Sequence, residues 1–216
     1  MLTIPSETGQ EQGSPTLSDE RLIIGNPVLL IIDMQHDFLD LTGPFYRAGA
    51  DQIIDPTAKL IAEFRALNLP ILFTREVHRQ GRVDAGLEAD PIYGVAVHTV
   101  EGTRGVEIID ELAPRPGEMV VDKRRYNCFL GTELELLLHS LNINTIIICG
   151  VTSDVCVHWT AGEAFQRDFH VRVVEDCTAG NNHEASLLLI RSLCSAGRQI
   201  LHAEMIHAVR AHCRTE

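Results

Sequence analysis

None of the six cysteines, Cys128, Cys149, Cys156, Cys177, Cys194 and Cys213, belongs to a CxxC pair, and most lie in apolar runs. Dithiol motifs are excluded, and a well-patterned chain of 216 residues has no need of a disulfide framework. Basic residues are scarce: 18 Lys and Arg against 30 Asp and Glu give a net charge of −12. With no basic patch or stripe, neither nucleic acid nor an anionic membrane is an expected partner. Every apolar run falls short of the roughly twenty residues that span a bilayer. No signal-peptide pattern is present, so a reduced, cytoplasmic protein is expected. Internal repeats, low-complexity tracts and composition breaks are also missing, which points to one domain. Residues 1–25 are polar and contain Pro, Gly and Ser. They read as a flexible N-terminal arm, or one lying on a neighbouring subunit, ahead of a domain over residues 26–216.

What the chain does have is a hydrophobic content of 45% and strands alternating with helices. The stretch Asn144–Arg167 organises the rest. Its β-branched run, Thr145–Ile148, predicts a strand buried on both faces, ended by Gly150. Thr152, Ser153 and Asp154 supply helix-start chemistry, and Val157, Ala161, Ala164 and Phe165 repeat at helical spacing. Cys156 thus falls in the first turn of a helix, where free N–H groups favour a thiolate or an oxyanion.

The other elements follow from the same signals. Strands are predicted at Pro27–Ile32, Pro70–Thr74, Glu118–Asp122, His170–Val174 and Gln199–Ile206. Helices are predicted after Asp55-Pro56, at Val106–Leu112, from the capping box at Thr132–Glu135, and at Asn182–Ala196 with Leu188, Leu189 and Leu193, stopped by Gly197. Residues 79–104 lack a sustained period and read as a long functional loop. The expectation is a three-layer α/β/α domain with a six-stranded parallel, Rossmann-like sheet.

Ligands of open parallel sheets bind outside the carboxyl ends of the strands. The first strand ends on Asp33, the third runs into Lys123, and the fourth leads to Cys156. Taken singly, Asp33 could cap a turn, Lys123 could be a solvated lysine and Cys156 a small buried hydrophobe. Together they form a reactive set. An ammonium and a helix N-terminus stabilise a thiolate, and a carboxylate takes the thiol proton.

Three motifs carry a resemblance: Ile31-Ile32-Asp33-Met34-Gln35-His36-Asp37-Phe38, the run from Asp122-Lys123 to Gly131-Thr132, and Gly150-Val151-Thr152-Ser153-Asp154-Val155-Cys156-Val157. Their order resembles the isochorismatase-like cysteine hydrolases over roughly residues 26–205. The resemblance implies a six-stranded parallel sheet and a catalytic triad of Asp33, Lys123 and Cys156. It also implies a cis Val151–Thr152 peptide and an oxyanion hole from the backbone N–H groups of Thr152 and Cys156. Small amide or ureido compounds are the implied substrates, with no cofactor and a homo-oligomer, dimer or tetramer, as the assembly.

Phe38, Tyr126 and Asn127 are placed to wall the pocket. Arg75 and Arg79 are candidates to hold a substrate carboxylate. Nicotinamidases of this family carry an Asp-x-His pair and a further His that bind a divalent metal. Glu76-Val77-His78 stands there, but residues 79–86 offer no second histidine, so no metal is expected. His158 is expected along its helix rather than at the substrate. Cys156 favours C–N cleavage over a vinyl-ether hydrolase of the isochorismatase type, and the intact triad argues against a non-catalytic binding module.

Overall fold

The computed structural model describes residues 22–47, 49–194 and 199–214. In chain order the strands are β1 (Asn26–Ile32), β2 (Ile71–Glu76), β3 (Met119–Lys123), β4 (Ile143–Val151) and β5 (His170–Ala179). The helices are α1 (His36–Leu39), α2 (Ile54–Ala66), α3 (Leu134–Ser140), α4 (Cys156–Gln166), α5 (His183–Cys194) and α6 (His202–His212). All pairings are parallel and the strand order is β3-β2-β1-β4-β5. From β1 the chain builds outward through β2 and β3, then returns to place β4 on the other side of β1. The order therefore reverses between β1 and β4, which opens a crevice at their carboxyl ends.

Alternation along the strands divides the core into two layers. Leu29 and Ile31 of β1 join Phe73, Ile147 and Val174 beneath Leu60, Ile61 and Phe64 of α2 and Met205, Ala208 and Val209 of α6. Val28, Leu30 and Ile32 face the other way with Leu72, Ile146 and Val173, under Leu134 of α3, Val157, Ala161 and Ala164 of α4, and Leu187 and Ile190 of α5. Burial of each large apolar side chain contributes roughly 1.5–3 kcal/mol. Among the described residues, no helix is long and apolar enough to cross a membrane.

Several expectations shift. The sheet has five strands among the described residues, not six. Residues 199–201 are extended, and the carbonyl of Ile200 accepts a hydrogen bond from Glu175 N of β5 at 2.9 Å. Then α6 begins, because Met205, Ala208 and Val209 bury one helical face. On α5 the buried stripe is Leu187, Ile190 and Cys194, so Leu188, Leu189 and Leu193 are exposed. Phe165 of α4 is exposed as well. Gly197 lies outside the described residues. Instead of a helix over Val106–Leu112 there are two short 3-10 turns, Arg104–Val106 and Asp110–Leu112. Thr132 accepts a hydrogen bond from Leu134 N at 3.2 Å, while Glu135 turns away to Arg167 and leaves the capping box open. Two residues read as part of the N-terminal arm pack on the core. Leu22 and Ile23 are buried, and the carbonyl of Leu22 accepts from Arg172 Nε at 2.9 Å. Residues 1–21 lie outside the described residues.

Gly150 sets the approach of β1 and β4. Its φ is +116°, and a Cβ there would collide with the Ile32 carbonyl across the pair. Gly150→Ala is expected to lower stability by about 3 kcal/mol or more, since both strain and overlap arise between central strands. Urea unfolding monitored by circular dichroism checks this, and an unchanged midpoint would contradict it.

Candidate active site

Neighbouring strand ends build the site. Going across the sheet, β3 ends on Lys123, β2 on Glu76, β1 runs into Asp33, and β4 leads to the start of α4 at Cys156. In the β2–β3 register, Glu76 lies opposite Lys123 and Arg75 opposite Asp122. Successive strand residues point to opposite faces, so Glu76 and Lys123 turn inward together while Arg75 and Asp122 turn outward. Asp33 leaves β1 in the left-handed region, with φ +51°, a conformation Asp tolerates better than most residues. Lys123 Nζ sits 2.7 Å from Asp33 Oδ2, 3.3 Å from Glu76 Oε2 and 3.5 Å from Cys156 Sγ. It also donates to the Arg125 carbonyl at 3.0 Å. Thr74 Oγ1 donates to Asp33 Oδ1 at 2.7 Å, which orients the carboxylate. The three residues expected to react are thus brought together, all of them buried.

Glu76 is a member of this group that the sequence offered as a metal ligand or, ahead of that, as a residue shaping the pocket, but not as a neighbour of the thiol. Its Oε2 lies 3.8 Å from Cys156 Sγ, and its Oε1 faces His78 Nε2 at 3.1 Å and His98 Nε2 at 3.3 Å. Burial opposes its charge, but Lys123 and the two histidines outweigh that and hold its pKa well below the usual carboxylate value. Asp33 goes the other way. Burial raises its pKa, the Glu76 charge adds to the rise, and Lys123 only partly offsets them. Two carboxylates around one ammonium therefore separate into a fixed charge and a proton carrier. Lys123 itself is discharged less easily than a free lysine: burial works against its charge, but Asp33, Cys156 and Glu76 prevail.

Burial pushes the Cys156 thiol well above its ordinary pKa, and the attraction of Lys123 does not overcome burial with two carboxylates nearby. Behind it, the Val151–Thr152 peptide is cis, as expected. The carbonyl of Thr152 accepts from Val155 N and Val157 N at 3.0 and 3.1 Å. Among the described residues, the N–H groups of Thr152 and Cys156 have no backbone acceptor, leaving both for an oxyanion.

The wall residues divide. Phe38 is buried and stands edge-on to Phe45, with ring centroids 6.2 Å apart, and to His98 at 5.8 Å. Tyr126 lines a cavity of about 620 Å³ with Glu88, Arg125, Tyr93 and Val95. Burial and Glu88 keep its phenol neutral. Asn127 is used locally, its Oδ1 accepting from Phe129 N at 3.0 Å. Arg75 is withdrawn from the substrate side. It pairs with Asp122 at 2.9 and 3.1 Å and with Glu107 at 3.2 Å on the outer face. Arg79 is exposed, 3.8 Å from Asp84. His158 lies along α4, with Nδ1 3.3 Å from Ser186 Oγ.

The second histidine missing from residues 79–86 is His98, delivered by the far end of the long loop through a bridge between His78 and Val100. Nothing local in the sequence ties it to His78. Glu76, His78, Glu88 and His98 place ligand atoms within 4.8 Å of one another, all buried. His98 Nδ1 donates to the Ala96 carbonyl at 2.9 Å, its Nε2 faces Glu76, and Glu88 Oε2 has no hydrogen-bond partner. Two imidazoles and two carboxylates, one with an unpartnered oxygen, form a donor set that fits a divalent ion. Without one, His78 takes the positive charge: burial opposes it, but Glu76 and Glu88 raise its pKa to about 9.

Ureidoacrylate amidohydrolase RutB of Pantoea ananatis is 26% identical over 209 residues, covering 82% of this chain and 83% of that protein. N-carbamoylsarcosine amidase of Arthrobacter sp is 30% identical over 153 residues, 69% of this chain and 58% of that protein. The crystal structure of an isochorismatase-like hydrolase from Alkaliphilus metalliredigens superposes with a TM-score of 0.76 at 28% identity, covering 85% of this chain and 98% of that one. The Isochorismatase domain model matches residues 27–205, a span that contains β2 to β5, all of β1 but Asn26, and every catalytic candidate, and the chain belongs to the isochorismatase family.

Proposed function

We propose that the protein is a cysteine-dependent amidohydrolase that cleaves a C–N bond of a small amide or ureido compound. The observation that carries this is the Lys123 ammonium, 2.7 Å from Asp33 and 3.5 Å from the Cys156 sulfur. As Cys156 Sγ attacks the carbonyl carbon, its proton passes to Asp33, and Lys123 stabilises the sulfur charge as it forms. The N–H groups of Thr152 and Cys156 receive the oxyanion. Collapse expels the amine, which takes the proton from Asp33 and leaves a thioester on Cys156. Water then attacks that thioester while Asp33 takes its proton. The acid departs and the proton returns to sulfur. Glu76, kept ionised, holds Lys123 in place through both halves. The relatives named for ureidoacrylate and N-carbamoylsarcosine support a ureido group as the bond cleaved.

Rapid acid quench of a working reaction, followed by intact-protein mass spectrometry, is the test. A transient mass increase on the Cys156 peptide is expected, a carbamoyl-type group from a ureido substrate and an acyl group from a simple amide. Single-turnover conversion with no adduct there would replace the thioester by a directly attacking water.

A second reading, metal-assisted amide hydrolysis of the nicotinamidase type, is favoured by the four-residue donor set. Glu76, His78, Glu88 and His98 would hold the ion, which would supply Lewis-acid polarisation of a carbonyl. The covalent route does not use it. On that route, turnover is expected to survive exhaustive dialysis against a chelator, checked by activity and by elemental analysis of the dialysed protein. Loss of activity restored by zinc or manganese would put the metal reading first.

A further inference from the structure

Arg47 takes no part in the chemistry above, yet the chain places it at the same site. Its N–H donates to the Phe38 carbonyl at 3.1 Å and its own carbonyl accepts from Ala50 N at 2.9 Å, which fixes the backbone. The guanidinium carbon lies 4.6 Å from the centre of the Phe45 ring. That ring packs on His98 at 4.2 Å between centroids, and His98 meets Glu76, the neighbour of Cys156. Arg47 is partly buried and close enough to Asp154 and Cys156 to sense both charges.

What sets Arg47 apart among the partly buried, described arginines is a guanidinium with neither a carboxylate nor a carbonyl partner. Arg82 and Arg125 also lack a carboxylate, but they donate to the carbonyls of Glu88 and Asp84. Arg65, Arg75, Arg167, Arg191 and Arg210 are each matched to a carboxylate: Glu118, Asp122, Glu163, Glu175 and Glu63 respectively. Among the described residues, no carboxylate comes within ion-pair distance of Arg47. Asp154, the acid whose charge it feels most, is engaged by Asn182, whose backbone N donates at 3.0 Å. A guanidinium partly withdrawn from water without an anion is destabilising, and burial accordingly depresses its pKa. The guanidinium carbon lies over the Phe45 ring, and the edge of such a planar fork is the part that grips a carboxylate through two parallel N–H bonds.

We propose that Arg47 supplies the carboxylate-recognition group of this site, so that the compound cleaved is an amide or ureido acid whose carboxylate lies a few bonds from the scissile carbonyl. This rests on Cys156 being the nucleophile. The anion missing from the protein arrives with the substrate and is bound beside the carbon to be attacked. Neutral amides and ureas lack that grip and are disfavoured, and Arg47 takes the role that Arg75, turned to the outer face, does not fill.

The test needs no identified substrate. Iodoacetate and iodoacetamide deliver the same carbon to a thiol with loss of iodide, but only iodoacetate carries a carboxylate. Rates of Cys156 alkylation by each are measured by peptide mass spectrometry in the wild type, Arg47→Gln and Arg47→Lys, across pH 7–9. The iodoacetate-to-iodoacetamide ratio at Cys156 is expected to fall about tenfold to a hundredfold in Arg47→Gln, the range of a lost charge-assisted pair. Arg47→Lys, which keeps the charge but not the fork, is expected to fall between. A misfolded variant would label its six cysteines without preference, so selective labelling of Cys156 shows that the site is formed. A ratio equal in all three proteins overturns the proposal. Wild-type Cys156 labelled by either reagent no faster than Cys128 and Cys149, whose buried thiols are raised as well, would instead overturn the nucleophile on which it rests.

Discussion

Cys156→Ala is expected to yield a folded protein whose turnover is reduced on the order of ten-thousandfold or more. Loss of a nucleophile leaves only oxyanion stabilisation and binding, and those residues act as a unit. The fold is expected to survive because the change removes one sulfur atom. Lys123 stays between Asp33 and Glu76, so no charge is stranded. Product release by the purified variant and its thermal midpoint are the two measurements. A midpoint within a few degrees of the wild type with turnover lost assigns the chemistry to sulfur. Wild-type-like turnover would remove the covalent mechanism altogether.

Lys123→Met is expected to damage both activity and stability. Methionine fills the stem but leaves Asp33 and Glu76 buried without their shared cation. Breaking a buried pair in this way costs about 3–5 kcal/mol, and loss of the electrostatic partner is expected to lower kcat at least about a hundredfold. The stability loss has a sign in pH. Asp33 is already raised by burial in the native protein, and loses the cation that pulls it down most, keeping only the Thr74 hydrogen bond against that rise. A carboxyl raised on folding contributes stability that is fully present below its unfolded pKa and is lost as pH rises through the folded value. The variant is therefore expected to be closest to the wild type in mild acid and to fall further behind towards neutrality. Denaturant midpoints at pH 5 and pH 7.5 measure this; a gap that widens in acid would contradict the assignment of charges.

How much of this could be read from residues alone depended on the kind of signal. Pro27–Ile32 and Thr145–Ile148 announced central strands because both faces are buried, and the groups at their ends followed from topology. Asp33, Lys123 and Cys156 came within reach for that reason. Glu76 was legible as a residue but not as a neighbour of the thiol, since that requires the β2–β3 register. His98 and Arg47 lie in loops, where no period links sequence to position; ring packing through Phe45 puts them at the site. On α5, three leucines suggested a buried stripe that belongs to Leu187, Ile190 and Cys194. At Gln199–Ile206, the β-branched start outweighed a helical spacing that only the residues beyond it, Ala208 and Val209, make plain.

The pairing of Glu76 with Lys123 and of Arg75 with Asp122 also bears on how the chain reaches its fold. β3 lies at the edge of the sheet, and its only buried apolar side chain is Val121, so hydrophobic contact says little about its alignment. Sliding it one residue would exchange its faces. In one direction Asp122 would come opposite Glu76; in the other, Lys123 would come opposite Arg75. Each misalignment sets like charges side by side, one of them in the interior. The charges gathered at the proposed active site thereby act as a proofreading key for an edge strand, and a variant that neutralises Glu76 and Lys123 together would be freed to dock out of step, even where a single native end state remained the more stable.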